Sequence, residues 1–276
     1  MYKKRQKVGK LISILIKIIL CVIFLFPFAW MCSIALQTGV ESSRAPITLI
    51  PAVPQWQNFV TAWKMAPFPL YLRNTLIIVA ASAALQAAVM IPAAYAFARY
   101  EFKGRNLLFG LILIAFMIPV QVTFLPIYRM AGKLNLINTL WPQIIPHMTN
   151  AFGIFLLRQY FMQVPDELVE AAKLDNASDF KILRRIMLPM SKPAISSVML
   201  LSVIGLWNDY FWPLMMTRSD EVRPLTIGIA ALRDTEGNDS WNIIMAGNMI
   251  LVLPLIVVYI FFSKYIINSF SYDGIK

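Results

Sequence analysis

The amino-acid sequence predicts an all-α membrane protein that crosses the bilayer six times and forms one domain over residues 1–276. Three observations carry this. Mean hydropathy is +0.65 and 59% of the residues are hydrophobic, more than a soluble domain carries. The hydrophobic residues fall into six runs, each long enough to cross hydrocarbon as a helix. Short polar loops separate most of them, and the one long charged interlude is residues 165–193.

The first run covers about 11–36, after a basic flank of Lys3, Lys4, Arg5, Lys7 and Lys10. It is longer than a signal-peptide core, and Ser33-Ile34-Ala35 makes a poor cleavage site, so an uncleaved first span is expected. Its internal Lys17 lies near the basic end, within reach of the interface. Residues 37–70 read as a proline-rich loop in which Trp56 and Trp63 bracket a short helix at the membrane interface. The second span is expected over 72–98, with Pro92 tolerated and an alanine-rich face that invites close packing. After the basic loop 99–106, the third span is expected over 107–128 and contains Pro119, Gln121 and Pro126. A turn through Gly132 and Asn135 leads to the fourth span, 139–162. It carries the only histidine, His147, read as an interfacial hydrogen-bonding residue rather than a ligand. The fifth span is expected over 194–216, with Trp207-Asn208-Asp209-Tyr210-Phe211-Trp212-Pro213 at its far end. The polar loop 217–241 and the sixth span, 242–267, follow.

Residues 165–193 have a different grammar. Pro165 suits a helix start, and Asp166, Glu167 and Glu170 set negative charge at the positive end of a helix dipole. Asp175-Asn176 interrupts that helix, because asparagine accepts left-handed backbone, and Ser178 caps a second helix. On the second helix Phe180, Leu183 and Met187, and also Ile182 and Ile186, recur at helical spacing beside Lys181, Arg184 and Arg185. Pro189 and Pro193 are expected to end it.

The net charge of +11 is spread among loops instead of gathered on an aromatic-studded surface, so it reads as a topology signal and not a nucleic-acid footprint. Sixteen basic residues fall on the side of the N terminus and the 165–193 segment and eight on the other, which puts both termini and that segment in the cytoplasm. Cys21 and Cys32 would stand about 16 Å apart on one helix, too far for a disulfide. No phosphate-binding glycine loop, His-Glu-x-x-His or Gly-x-Ser-x-Gly occurs, so no enzyme, cofactor or metal site is expected.

At matching intervals, Glu170-Ala171-Ala172, Asp175, Ala177, Ile186, Leu188-Pro189 and Pro193 resemble the coupling motif of bacterial ABC importer permeases. Asn176 stands where the family usually has glycine, and Leu183 where phenylalanine is common. Arg73-Asn74-Thr75-Leu76, Phe102-Lys103-Gly104-Arg105, Met117-Ile118-Pro119, Leu136-Ile137-Asn138-Thr139, Phe152-Gly153-Ile154-Phe155-Leu156-Leu157-Arg158-Gln159 and Trp207-Asn208 are similar to its carbohydrate-importer, maltose-transporter branch. The ending Gly274-Ile275-Lys276 is similar too but lacks that branch's final glycine.

The resemblance implies a type I ABC importer permease fold in a bacterial plasma membrane. It implies a dimer of cytoplasmic ATP-binding subunits as partner, a second homologous permease, an extracellular solute-binding protein and a sugar substrate. Coupling to the ATPase would fall to Glu170, Ala171, Ala172, Asp175, Asn176, Ala177, Ile186, Leu188 and Pro189. Glu170, Ala171 and Ala172 would form the docking face and Asn176 the turn. Gln121, Asn150, Asn208 and Asp209 are expected along the substrate path, with Trp207, Tyr210, Phe211 and Trp212 able to stack on a sugar ring. The alternative for that cluster is an aromatic belt with a polar cap. An autonomous secondary transporter or channel, or an importer of glycerol phosphate or another non-sugar solute, are the competing functions.

Overall fold

A computed structural model describes residues 2–44, 48–233 and 240–271. Among them the regular elements are all helical, and the Gly274-Ile275-Lys276 ending lies outside them. The chain divides into two compact units, Met1–Phe68 with Gly228–Leu253 and Pro69–Ile227 with Pro254–Lys276.

The first unit contains α1 (Tyr2–Ala35), α2 (Gly39–Ser42) and α3 (Gln57–Met65). The most apolar 18 residues of α1, within Ile12–Ala35, include no buried residue, as suits a helix that faces lipid. Its last carbonyls have no partner within the helix. Asn58 of α3 supplies one: its amide donates to the Ala35 and Gln37 carbonyls, at 2.8 Å each. Asn242 donates in turn to Asn58 Oδ1 at 3.1 Å. The short helix expected between Trp56 and Trp63 is therefore what closes the end of α1.

The second unit is built on α4 (Phe68–Arg99), a helix about 48 Å long at ordinary rise. Next come α5 (Arg105–Met117) and α6 (Val120–Lys133), which meet at 96°. The bend replaces the straight third span expected over 107–128, and Pro119 causes it. A residue before proline is pushed out of helical geometry, and Ile118 is extended with ψ 120°.

The fourth expected span is likewise interrupted. α7 (Trp141–Ile144) passes into a 3₁₀ turn, Ile145–Met148, and the helix restarts only at α8 (Ala151–Met162). Beyond it lie α9 (Asp166–Leu174), α10 (Asp179–Ile182) and α11 (Leu188–Met190), the last two joined by the wide turn Leu183–Met187. α12 (Lys192–Trp207) leaves this segment at 82°. The fifth expected span ends at Trp207 and resumes as α13 (Phe211–Met216). α14 (Leu225–Ala230) and α15 (Trp241–Ser271) contribute residues to both units. Among the described residues three helices are long and apolar enough to cross a membrane, or five if each bent pair forms one span.

The motifs quoted from the sequence prove to be ties. Asn74 donates to the carbonyls of Glu221 (2.8 Å) and Arg223 (3.0 Å), and Thr75 Oγ1 accepts from the Leu225 amide. Asn138, at φ 64°, accepts from the amides of Arg218 and Ser219. Of the alanines expected to pack closely, Ala94 is buried, Ala93 packs against the core and Ala81, Ala83 and Ala87 are half-buried, whereas Ala80, Ala84 and Ala88 are exposed.

The core of the second unit gathers Met90 and Tyr95 of α4, Leu157 and Phe161 of α8, Val169 of α9, Met187 of the wide turn and Val198 of α12. Gly153 permits it. A β-carbon there would stand 2.1 Å from Met90 Sδ and 2.9 Å from Val198 Cγ1, whereas one at Gly110 would meet nothing within 4 Å. Gly153→Val is expected to cost roughly 1–3 kcal/mol through overpacking. The matched Gly110→Val should stay within about 0.5 kcal/mol, with thermal unfolding of both detergent-solubilised variants as the comparison.

Candidate functional site

Two regions of the second unit carry the predicted site residues. The first is the 165–193 segment. Asn176 turns the chain at φ 55°, and Ser178 caps α10 by accepting from the Lys181 amide. Both features follow the sequence expectation. Two others depart from it. Pro189 does not end the helix, because the π-type turn over Leu183–Met187 widens the spiral just ahead of a ring that would clash in a tight one. The buried face departs at Phe180 alone, which is 71% exposed, while Ile182, Leu183 and Met187 go inward.

Of the expected coupling residues, Glu170, Ala171, Asp175, Asn176 and Pro189 are exposed, and Leu174 beside them is 84% exposed. Ala172, Ala177, Ile186 and Leu188 pack against the core cluster. One side of the segment is thus fastened inward and the other is open.

The fastening comes from the end of α4. Arg99 pairs with Asp166 at the start of α9, and its guanidinium also donates to the carbonyls of Phe161 and Val164. Tyr100 stands against Asp179 at the start of α10, and its hydrogen bond to that carboxylate, with some burial, pushes the phenol up to about 12. The phenol therefore keeps its proton at any physiological pH. Both helices of the segment are held at their N termini by adjacent residues, a connection absent from the sequence reading. Arg158 adds a third tie, donating to the Phe97 carbonyl at 3.1 Å with its guanidinium 4.2 Å from the Phe109 ring centre.

The second region is an open cavity of about 600 Å³. Part of its polar lining comes from points where helices break. Asn150 caps α8, accepting from Gly153 at 2.8 Å, and donates to Ser202 at 2.9 Å. Asp209, in the break between α12 and α13, accepts from the Trp212 amide at 3.2 Å and stands 3.5 Å from His147 Nε2. Gln121 lies exposed in the first turn of α6 and also lines the cavity.

The structure thus brings together Gln121, Asn150 and Asp209. Asn208 does not line this space, and its amide donates to the Ile204 carbonyl of its own helix at 2.8 Å. Trp207 and Trp212 are only 3% and 2% exposed, so the aromatic surface open to a solute is that of Phe211 and, on the far wall, Phe116. Gln86 was missed by the sequence reading, although a lone amide within an alanine-rich span is a signal of an interior-facing residue. His147 is likewise a cavity residue, paired with a carboxylate, and not merely an interfacial group.

Helices that break around a polar opening, beside helices long and apolar enough to cross a membrane, are the make-up of a membrane transport component. The chain belongs to the family of binding-protein-dependent transport system inner membrane components, whose model matches residues 88–272. It is 31% identical to the arabinooligosaccharides transport system permease protein of Halalkalibacterium halodurans, over 99% of both chains. It is 33% identical to the sn-glycerol-3-phosphate transport system permease protein of Yersinia pestis, over 82% of this chain and 83% of that one. In fold it is similar to a chain of a bacterial ABC transporter that imports the acidic polysaccharide alginate, with TM-score 0.80, 22% identity, and 94% and 96% of the two chains covered.

Arg99→Ala removes a mostly buried cation that serves three acceptors. The expected loss is roughly 1.5–3 kcal/mol of local stability, seen as faster limited proteolysis within 165–191. Arg99→Lys should recover little of it, since one ammonium does not reproduce the guanidinium fork.

Proposed function

We propose that this chain is the permease subunit of an ATP-driven, binding-protein-dependent sugar importer and supplies half of its translocation path. The observation that carries the reading is the 165–193 segment, two short helices braced inward by Arg99 and Tyr100 with Glu170, Ala171 and Leu174 left open. That arrangement suits a rigid body that is pushed from outside. In this reading it docks on a dimer of cytoplasmic ATP-binding subunits through Glu170, Ala171, Ala172, Asp175, Asn176 and Ala177, with Ile186, Leu188 and Pro189 transmitting movement to α12. The chain then hydrolyses nothing itself.

The reading has six crossings, with both bent pairs and the interrupted α7–α8 region counted as spans, and one permease domain over residues 1–276. Both termini lie in the cytoplasm, as the excess of basic residues on that side supports. A second homologous permease completes the path, and an extracellular solute-binding protein delivers the substrate. Gln121, Asn150 and Asp209 line the path here, with Asn208 at its edge. A sugar is favoured by the likeness to an arabinooligosaccharide permease over nearly the whole length. The likeness to sn-glycerol-3-phosphate permeases places that solute in the same uptake panel.

The test is co-purification from the native membrane with wild type and Glu170→Lys side by side. Wild type should bring down an ATPase and a second permease and show solute-stimulated ATP hydrolysis, while Glu170→Lys should lose most of both. Purification of wild type alone or as a homo-oligomer, with uptake driven by an ion gradient, would instead establish an autonomous secondary transporter.

A further inference from the structure

The cavity between α6, α8 and α12 has a charge character that its shape alone does not require. Its one ionisable pair is His147 with Asp209, 3.5 Å apart, and no lysine or arginine lines it among the described residues. The lining thus has a carboxylate and an imidazole but no fixed positive charge.

Anions bind proteins through cationic side chains or through free amides at helix N termini. The first are absent from this lining, and two of the second are taken by side chains. α8 opens toward the cavity, but the Gly153 amide is taken by Asn150 Oδ1 at 2.8 Å. At α13 the Trp212 amide is taken by Asp209 Oδ1 at 3.2 Å. The chain's own side chains thus take one amide at each of these two helix starts, whereas the start of α6, where Val120 and Gln121 line the cavity, has no side-chain cap.

The remaining lining suits a different guest. Gln121 and Gln86 are amides, Thr149 and Ser202 hydroxyls, and such groups both donate and accept, as sugar hydroxyls do. Phe211 and Phe116 add apolar ring faces. The volume of about 600 Å³ lies within the range of small-molecule sites.

From this we infer that the cavity passes uncharged polyhydroxylated solutes and discriminates against solutes bearing phosphate or carboxylate, with the Asp209 carboxylate as the discriminating group. The inference rests on the importer reading for its function, but the charge of the cavity can be measured without transport.

The test places a single thiol in the cavity of the assembled, membrane-embedded transporter, as Gln121→Cys with Cys21→Ser and Cys32→Ser. Two methanethiosulfonates of similar size are compared, one bearing a trimethylammonium and one a sulfonate. Each reaction forms a mixed disulfide at the new thiolate and releases a sulfinate, so any change in the thiol's own ionisation affects both rates alike and cancels in their ratio. Relative to a free thiol in the same buffer, the ratio should favour the cationic reagent at least about tenfold at low salt. It should shrink as salt is added, a control that needs no further variant. Asp209→Asn should bring it within about threefold.

In uptake assays the unmodified transporter should prefer a neutral arabino-oligosaccharide over sn-glycerol 3-phosphate and an oligogalacturonate. Equal or faster labelling by the sulfonate reagent, or preferential uptake of either anion, would overturn the inference. Absence of ATP-driven uptake alongside strong cationic selectivity would fault the importer reading and leave the charge assignment standing.

Discussion

Hydrocarbon offers no hydrogen bonds, so a chain that breaks its helices at membrane depth must satisfy each freed backbone group from within. This chain breaks them repeatedly, at Ile118-Pro119, between Ile145 and Asn150, and between Trp207 and Phe211. The last two of these breaks have side-chain partners close by. Asn150 accepts from Gly153, Asp209 accepts from Trp212, and the buried Trp212 indole donates to the Pro142 carbonyl. Asn150 and Asp209 are therefore required by the backbone before any solute is considered.

A second dependence runs through α4. At one end Asn74 and Thr75 hold the 221–225 stretch, and at the other Arg99 and Tyr100 hold the starts of α9 and α10. Between them Met90 and Tyr95 pack into the core shared with α8, α9 and α12. A displacement of the 165–193 segment therefore reaches α4 through ionic and polar contacts, and reaches α12 through the buried Ile182, Leu183 and Met187. If the segment docks on a partner as proposed, the push divides between two helices that both border the cavity, since Gln86 lies on α4 and Ser202 on α12. Stiffness at these ties is what converts local docking into movement of the path.

Much of this was legible in the sequence, and the exceptions have physical causes. Short-range chemistry read well. Asn176 adopts the left-handed turn, Ser178 caps its helix, and the helix near Trp56 and Trp63 forms, because each depends on a few neighbouring residues. Hydropathy located the apolar runs but not their geometry. Pro92 lies within an unbroken helix whereas Pro119 yields a 96° bend, and the difference is the extended conformation of Ile118, which an apolar count does not register. On the second short helix the expected apolar residues go inward except Phe180, whose position at the exposed start of the helix periodicity does not register. Arg99 and Gln86 were passed over for a different reason, since their partners lie more than sixty residues away in the chain.

His147 shows how a bland residue acquires a role from its surroundings. On sequence grounds a lone histidine beside Pro146 is an interfacial hydrogen-bonding group, and prolines near it are why: they unwind the helix into a 3₁₀ turn, Ile145–Met148, and expose polar backbone. The same unwinding brings the imidazole 3.5 Å from Asp209 and edge-on to the Trp212 ring, with centroids 5.8 Å apart. A carboxylate in a largely apolar setting is costly without a partner, and its two oxygens are served differently, one by the Trp212 amide and one by this histidine. The pair thus keeps an acidic group at the cavity without a compensating lysine or arginine.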